Sequence, residues 1–259
     1  MRAPSGMMLV LAASLWSGAA CADEMAVYRA VGGDAGLFDQ YDNDGYSLAV
    51  SPASDGSVEL RVRVSAAPLS SHAPFPTVMP RESLPEARER DSLARSLAAG
   101  ASTQVEAVER VLSGVASSVR YDTDRMRRQD PASVFASRRA HCVGFSELSV
   151  DLLRRIGIPA RTVQGILRAK PGTDGYEKEI GGVYHRWIEI YYPDRGFVFS
   201  DPSSSINSVD ARYIPFGRRA LERPRGLELT RVAASGYLDY PVLRLPETTL
   251  RVRPVGGSR

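Results

Sequence analysis

One apolar stripe restricts what this chain can fold into more than any other feature. Phe145, Leu148, Leu152 and Ile156 recur at intervals of three and four, and Cys142 stands three residues ahead on the same line. That period is one face of an α-helix, and such a face must be buried against another element. Gly157 is a natural C-terminal stop and Pro159 prevents continuation. Residues 161–167 then read as a strand, and residues 183–192 and 196–200 as a hairpin around Pro193-Asp194-Arg195-Gly196.

Upstream, Val105, Val108, Leu112, Val115 and Val119 mark a second helical face from Gln104 onward, preceded by a polar, arginine-rich helix over 85–99. Asp130-Pro131 starts a short helix, with Asp130 as its cap. Residues 46–50 and 58–64 alternate apolar and polar as half-buried strands do, so 26–64 reads as a small β unit. Asp42-Asn43-Asp44-Gly45 lacks calcium-loop ligands at Gln40 and Ser51 and reads as a turn. Pro68, Pro74, Pro76, Pro80 and Pro85 mark an extended connector. The expected organisation is a signal segment over 1–22, a β unit over 23–67 and a connector over 68–85. A core over 86–208 and a C-terminal β extension over 209–259, with two or three short strands, complete it.

Arg2, the apolar run from Met7 to Trp16 and Ala20-Cys21-Ala22 have the layout of an export signal cleaved before Asp23. The run is shorter than the about 20 apolar residues that span a bilayer. A periplasmic or secreted protein is therefore expected, with a lipid-bearing Cys21 as the alternative. Cleavage would leave Cys142 as the single thiol, without a disulfide partner. The net charge of +3 is small, and nearly all of the positive charge is arginine spread through the chain. No basic stripe with interleaved aromatics suggests nucleic-acid binding.

The unpaired thiol is the centre of the expected chemistry. A cysteine at a helix N-terminus has its thiolate stabilised by the helix, and its own N–H can face a developing oxyanion. Of the three histidines, His72 lies in the connector and His141 directly precedes the cysteine, which leaves His185 on a strand as the base. Asp201, on the partner strand, is the expected carboxylate, accepting Nδ1–H of His185. A plain hairpin register puts His185 opposite a position beyond Asp201, so either a bulge or a diagonal reach is needed. Glu189 shares the His185 face by parity and is the substitute orienter. Trp187 is expected beside the imidazole. Gln129 and Tyr121 are candidates for a second oxyanion donor. Adjacent His141-Cys142 without a C-x-x-C pair is poor zinc spacing, so neither metal nor cofactor is expected.

Four runs, residues 138–145 (RRAHCVGF), 152–161 (LLRRIGIPAR), 185–191 (HRWIEIY) and 196–202 (GFVFSDP), together resemble the bacterial transglutaminase-like superfamily over roughly 100–202. The resemblance implies an α+β, papain-like core in which the helix bearing the cysteine packs on an antiparallel sheet. It assigns the catalytic roles to Cys142, His185 and Asp201. Two positions depart from the pattern: His141 stands where a small residue is usual, and Phe199 where tryptophan is frequent. The implied activity is thioester-forming acyl transfer on peptide or carboxamide bonds of a peptide or protein substrate. Water is the favoured acceptor; a cross-linking transglutaminase and a non-catalytic peptide- or wall-binding module are the alternatives. The loop over 169–182 is expected to border the cleft.

Overall fold

The computed structural model describes residues 23–32, 35–67, 69–76, 84–124, 126–168, 182–218, 227–236 and 248–251. The signal segment and nearly all of the 169–182 loop lie outside them, as does part of the connector. In chain order the strands are β1 (Glu24–Val31), β2 (Tyr41–Asn43), β3 (Tyr46–Pro52) and β4 (Val58–Val64). The helical layer follows with α1 (Arg88–Ala98), α2 (Gln104–Ser118), β5 (Arg120–Tyr121), α3 (Pro131–Ser137), β6 (Arg139–Ala140) and α4 (Cys142–Arg155). Then come β7 (Ala160–Arg168), β8 (Gly182–Tyr192), β9 (Gly196–Ser200), β10 (Tyr213–Pro215), β11 (Glu228–Ser235) and β12 (Thr248–Arg251).

The central layer is a four-stranded antiparallel sheet in the order β10-β7-β8-β9. Side chains alternate across it, as a strand requires. Ile188, Ile190, Tyr192 and Val198 point into one core with the buried stripe Phe145, Leu148, Leu152 and Ile156 of α4. Val108, Leu112 and Val115 of α2 complete that layer. Trp187, Phe199, Val163 and Tyr213 point the other way, against Tyr28, Leu48, Leu60 and Val62 of a second sheet. That second sheet has six strands in the order β12-β11-β1-β4-β3-β2, so strands from both ends of the chain form one layer. The result is an α+β sandwich of helices, central sheet and outer sheet.

Local chemistry explains the elements that set up the site. Asp130 caps α3 by accepting from Ser133 N at 3.0 Å, with Pro131 in the first turn. Arg155 at the end of α4 ties the helix to α1 through Asp91 at 2.8 Å, and to Asp151 at 2.8 Å. At Gly165 the β10 backbone crosses so closely that a Cβ would lie 2.2 Å from Ile214 O and 2.5 Å from the Trp187 ring. Only glycine lets β10 pair there. Among the described residues no helix is long and apolar enough to cross a membrane.

Candidate active site

Helix α4 begins at Cys142, and the four amides that every helix leaves unpaired at its start can be accounted for one by one. His141 is the N-cap; its own N–H goes to Gln129 Oε1 at 3.1 Å. Val143 N–H goes to His141 Nδ1 at 3.3 Å, and Gly144 N–H to Gln129 Oε1 at 3.1 Å. Cys142 N–H is the remaining donor, with no acceptor among the described residues. Gly144 must be small for this clamp to close, since a Cβ there would meet Gln129 Oε1 at 2.5 Å and Val134 at 2.7 Å.

The strands bring the other two groups to the same place. Pro202 has no N–H and β9 ends at Ser200, opposite Ile188, so among the described residues no strand covers the Arg186 peptide on that side. The start of α4 docks on this uncovered edge. Ser146 Oγ donates to Arg186 O at 3.0 Å, which brings the Arg186 amide to where it lowers the Cys142 thiol. The ring of His185, one residue earlier, lowers the same thiol and is itself raised by the sulfur. Its other side faces the Asp201 carboxylate, with Nε2 at 2.6 Å from Oδ2.

The β8–β9 register is regular from Tyr192↔Gly196 to Ile188↔Ser200. Of the two arrangements the sequence left open, the diagonal reach is therefore the one found. One detail differs from expectation: Asp201 binds Nε2 of His185, not Nδ1, which leaves Nδ1 for the sulfur.

Asp201 is itself fully buried and held at both oxygens. Oδ1 accepts from Ser203 N at 2.9 Å and Ser203 Oγ at 2.7 Å; Oδ2 accepts the Tyr213 hydroxyl at 2.8 Å in addition to His185. Sequence reasoning missed Tyr213, which lies on β10 beyond the recognisable motifs. Its ring stands edge-on to His185 at 5.8 Å, and Trp187 stacks on the imidazole at 6.2 Å while meeting Tyr213 edge-on at 5.3 Å.

These contacts set the protonation states. Burial pushes the Cys142 thiol up, but hydrogen bonds to His141 and His185, the His185 charge and the Arg186 amide bring it from 9.0 down to about 6. Burial opposes charge on His185, yet Asp201 and Cys142 raise it from 6.5 to about 9. For Asp201, burial is outweighed by His185 and Ser203, which hold the carboxyl below its usual range. Between about 6 and about 9 the favoured state is thus a thiolate beside an imidazolium, titrating as a pair.

Other candidates fall elsewhere. Glu189 is buried with Asn43 Nδ2 at 3.1 Å and the Arg161 guanidinium, and does not orient His185. Gln129 spends its amide nitrogen on Arg127 O at 3.1 Å and its oxygen on the clamp. Tyr121 is 53% exposed and stacks on Phe145. Among the described residues no group of histidine, cysteine and carboxylate side chains is arranged to hold a metal ion.

Part of the chain is similar to known proteins. Residues 91–202 match the family model of the transglutaminase-like superfamily, a span that contains Cys142, His185 and Asp201 but not Tyr213. The uncharacterized protein YebA of Bacillus subtilis (strain 168) is 34% identical over 86 residues, covering 29% of this chain and 11% of that protein. The chain therefore spans only a small part of the length of that curated relative. A cysteine-protease candidate from Cytophaga hutchinsonii aligns over 88% of this chain and 94% of its own, with a TM-score of 0.47 and 14% identity. The periplasmic domain of TgpA from Pseudomonas aeruginosa, bound to ethylmercury, aligns over 72% and 76%, with a TM-score of 0.40 and 18% identity. From Asp91 to Pro202, the chain is similar in sequence to the transglutaminase-like superfamily.

Proposed function

We propose that the protein is an exported, cysteine-dependent acyl-transfer enzyme that opens peptide or carboxamide bonds through a thioester on Cys142. The observation that carries this reading is the continuous chain from sulfur to imidazole to buried carboxylate, with His185 Nε2 at 2.6 Å from Asp201. The Cys142 thiolate attacks the carbonyl carbon, and the Cys142 N–H receives the developing oxyanion at the positive end of α4. Collapse of the adduct expels the amine, which takes its proton from His185 Nδ1, leaving the thioester. The now neutral imidazole removes a proton from water, hydroxide adds to the thioester carbon, and the carboxylic acid departs as the thiolate re-forms beside imidazolium. Asp201 stays ionised throughout and keeps the ring aimed.

Water is the acceptor we favour over a lysine amine, following the resemblance read from the sequence. The export reading rests on the charge, apolar run and small-residue site of residues 1–22. A peptide library and a fluorescent primary amine, offered together to wild type and Cys142→Ala, test the proposal. Cysteine-dependent release of peptide or ammonia without amine uptake supports hydrolysis. Amine uptake into protein replaces it with cross-linking, and no cysteine-dependent product from either sinks acyl transfer altogether.

A further inference from the structure

Two aromatic rings flank His185, and one of them carries a cost that packing alone does not explain. Trp187, two residues on along β8, is fully buried and lies nearly parallel to the imidazole, at 6.2 Å with 21° between the planes. It is held by Tyr213 edge-on at 5.3 Å and by Phe199 edge-on at 5.9 Å. Gly165 closes on it too, since a Cβ there would come within 2.5 Å of the indole. Yet the indole Nε1–H is buried with no hydrogen-bond acceptor among the described residues. A buried N–H without a partner loses its hydration for nothing, a penalty that phenylalanine or leucine would not carry. Indole at this position therefore calls for a reason other than filling space. The charged ring that it faces is His185.

We propose that Trp187 is a positioning residue for acyl transfer, its π face fixing the plane of the His185 ring and stabilising that ring as the imidazolium beside the thiolate. The inference rests on the acyl-transfer reading and deepens it. Indole has the most strongly attracting face of the aromatic side chains, and a cation stacked on it is drawn to the ring quadrupole. Water, which would screen that attraction, is kept out: the His185 side chain is 7% exposed and Trp187 is fully buried. Orientation matters as much as charge. The hydrogen bond from Nε2 to Asp201 at 2.6 Å fixes one end of the imidazole but leaves it free to tilt about that contact. A flat indole, itself held by three neighbours, removes this freedom. The other titratable groups facing His185 are Cys142 at the start of α4, Asp201 after β9 and Tyr213 on β10. Its partner on β7 is Gly165, and the neighbouring Arg186 is turned to Glu147 at 2.7 Å. Asp201 and Cys142 favour imidazolium by their charge; the indole adds to them without bringing a charge of its own.

Two readouts test the contact, and neither needs an acyl substrate. An imidazolium stacked on indole quenches its fluorescence far more than a neutral imidazole does. With Trp16→Phe in every protein, Trp187 is the only tryptophan. In Cys142→Ala, which has no sulfur to titrate, emission excited where tyrosine does not absorb should rise as His185 loses its proton. The midpoint should fall below the wild-type value of about 9, because the sulfur no longer raises it. Adding His185→Gln should abolish the rise. The second readout is iodoacetamide alkylation of Cys142, which should quicken near 9 in wild type as the imidazolium discharges. Trp187→Leu should bring that step about half a pH unit lower, and Trp187→Phe less, since a benzene face keeps part of the attraction. An indole that merely fills space would let water in when cut down, and the step would stay or move up. An upper step that stays or rises in both variants overturns the proposal. So does an emission curve without a step in Cys142→Ala, or a step that survives His185→Gln. Should the variants at 187 fail to fold, the emission step decides, because it leaves Trp187 in place. Absence of product in the peptide and amine assay sinks acyl transfer separately, since neither readout passes through a thioester.

Discussion

Replacing Asp201 with asparagine isolates what its charge does. The rise of His185 from its ordinary 6.5 to about 9 corresponds to roughly 3 kcal/mol in favour of imidazolium. Two groups supply it, the carboxylate on Nε2 and the sulfur on the other nitrogen. Asparagine keeps an oxygen at Nε2 and the size of the side chain, but loses the negative charge. If half of the stabilisation is lost, about 1.5 kcal/mol, the imidazolium should release its proton about one pH unit earlier. The thiol should still ionise near 6, because it does so against an imidazolium that is charged at that pH in both proteins. Iodoacetamide alkylation, followed by the mass of the Cys142 peptide, reads both events without any knowledge of the substrate. In wild type the rate should rise near pH 6 as sulfur ionises, and again near pH 9 as the imidazolium discharges and frees a more nucleophilic thiolate. Asp201→Asn should leave the first step in place and bring the second to about 8. An upper step that stays at 9, or moves up, would refute the assignment of His185 charging to this carboxylate.

Tyr213→Phe should move that upper step in the opposite direction, by a few tenths of a pH unit, because a carboxylate that loses a hydroxyl donor becomes a stronger base for imidazolium. The same variant should lose about 1–2 kcal/mol in urea unfolding. Gly144→Ala should cost about 1–3 kcal/mol in the same assay. Its methyl also displaces Gln129 from the helix start, so Cys142 alkylation at pH 7 should slow; an unchanged rate would show that the clamp does not hold the cysteine. Leu152→Ala, at a fully buried position between α4 and the sheet, should destabilise by about 2–5 kcal/mol without shifting either alkylation step.

What could be read from the chain divides along a physical line. The α4 stripe, the α2 stripe and the β8–β9 hairpin are local periodic patterns, and each lies where residue spacing put it. The order of Cys142, His185 and Asp201 was legible because each sits at the edge of such an element. Pairings between distant segments were not. Nothing in Glu24–Val31 announces that it will sit between Glu228–Ser235 and Val58–Val64, since antiparallel partners carry no address in their own sequence. Tyr213 was missed for the same reason: a buried tyrosine in a short strand looks like any core aromatic until its hydroxyl is seen on Asp201. Gln129 looked like a donor because its type is right. Which of its two amide atoms faces the helix depends on tertiary packing, and there the oxygen takes the backbone N–H groups. Pro202, by contrast, carried a signal that could have been used: a proline just after a strand predicts an uncovered neighbour, and that gap is where α4 docks.

Three tyrosines of the outer sheet region, Tyr28, Tyr46 and Tyr41, send their hydroxyls to the backbone carbonyls of Ala211, Tyr213 and Phe216, at 2.8, 2.6 and 3.0 Å. They act as pegs through the strand whose Tyr213 steadies the buried carboxylate. A fragment cut to residues 91–202 would keep Cys142, His185 and Asp201 and discard both the pegs and the strand they fasten. The hydrogen bonds that hold the buried carboxylate therefore reach beyond the span that inheritance makes visible. In this molecule, the flanking segments that look like ornament are part of the hinge pin.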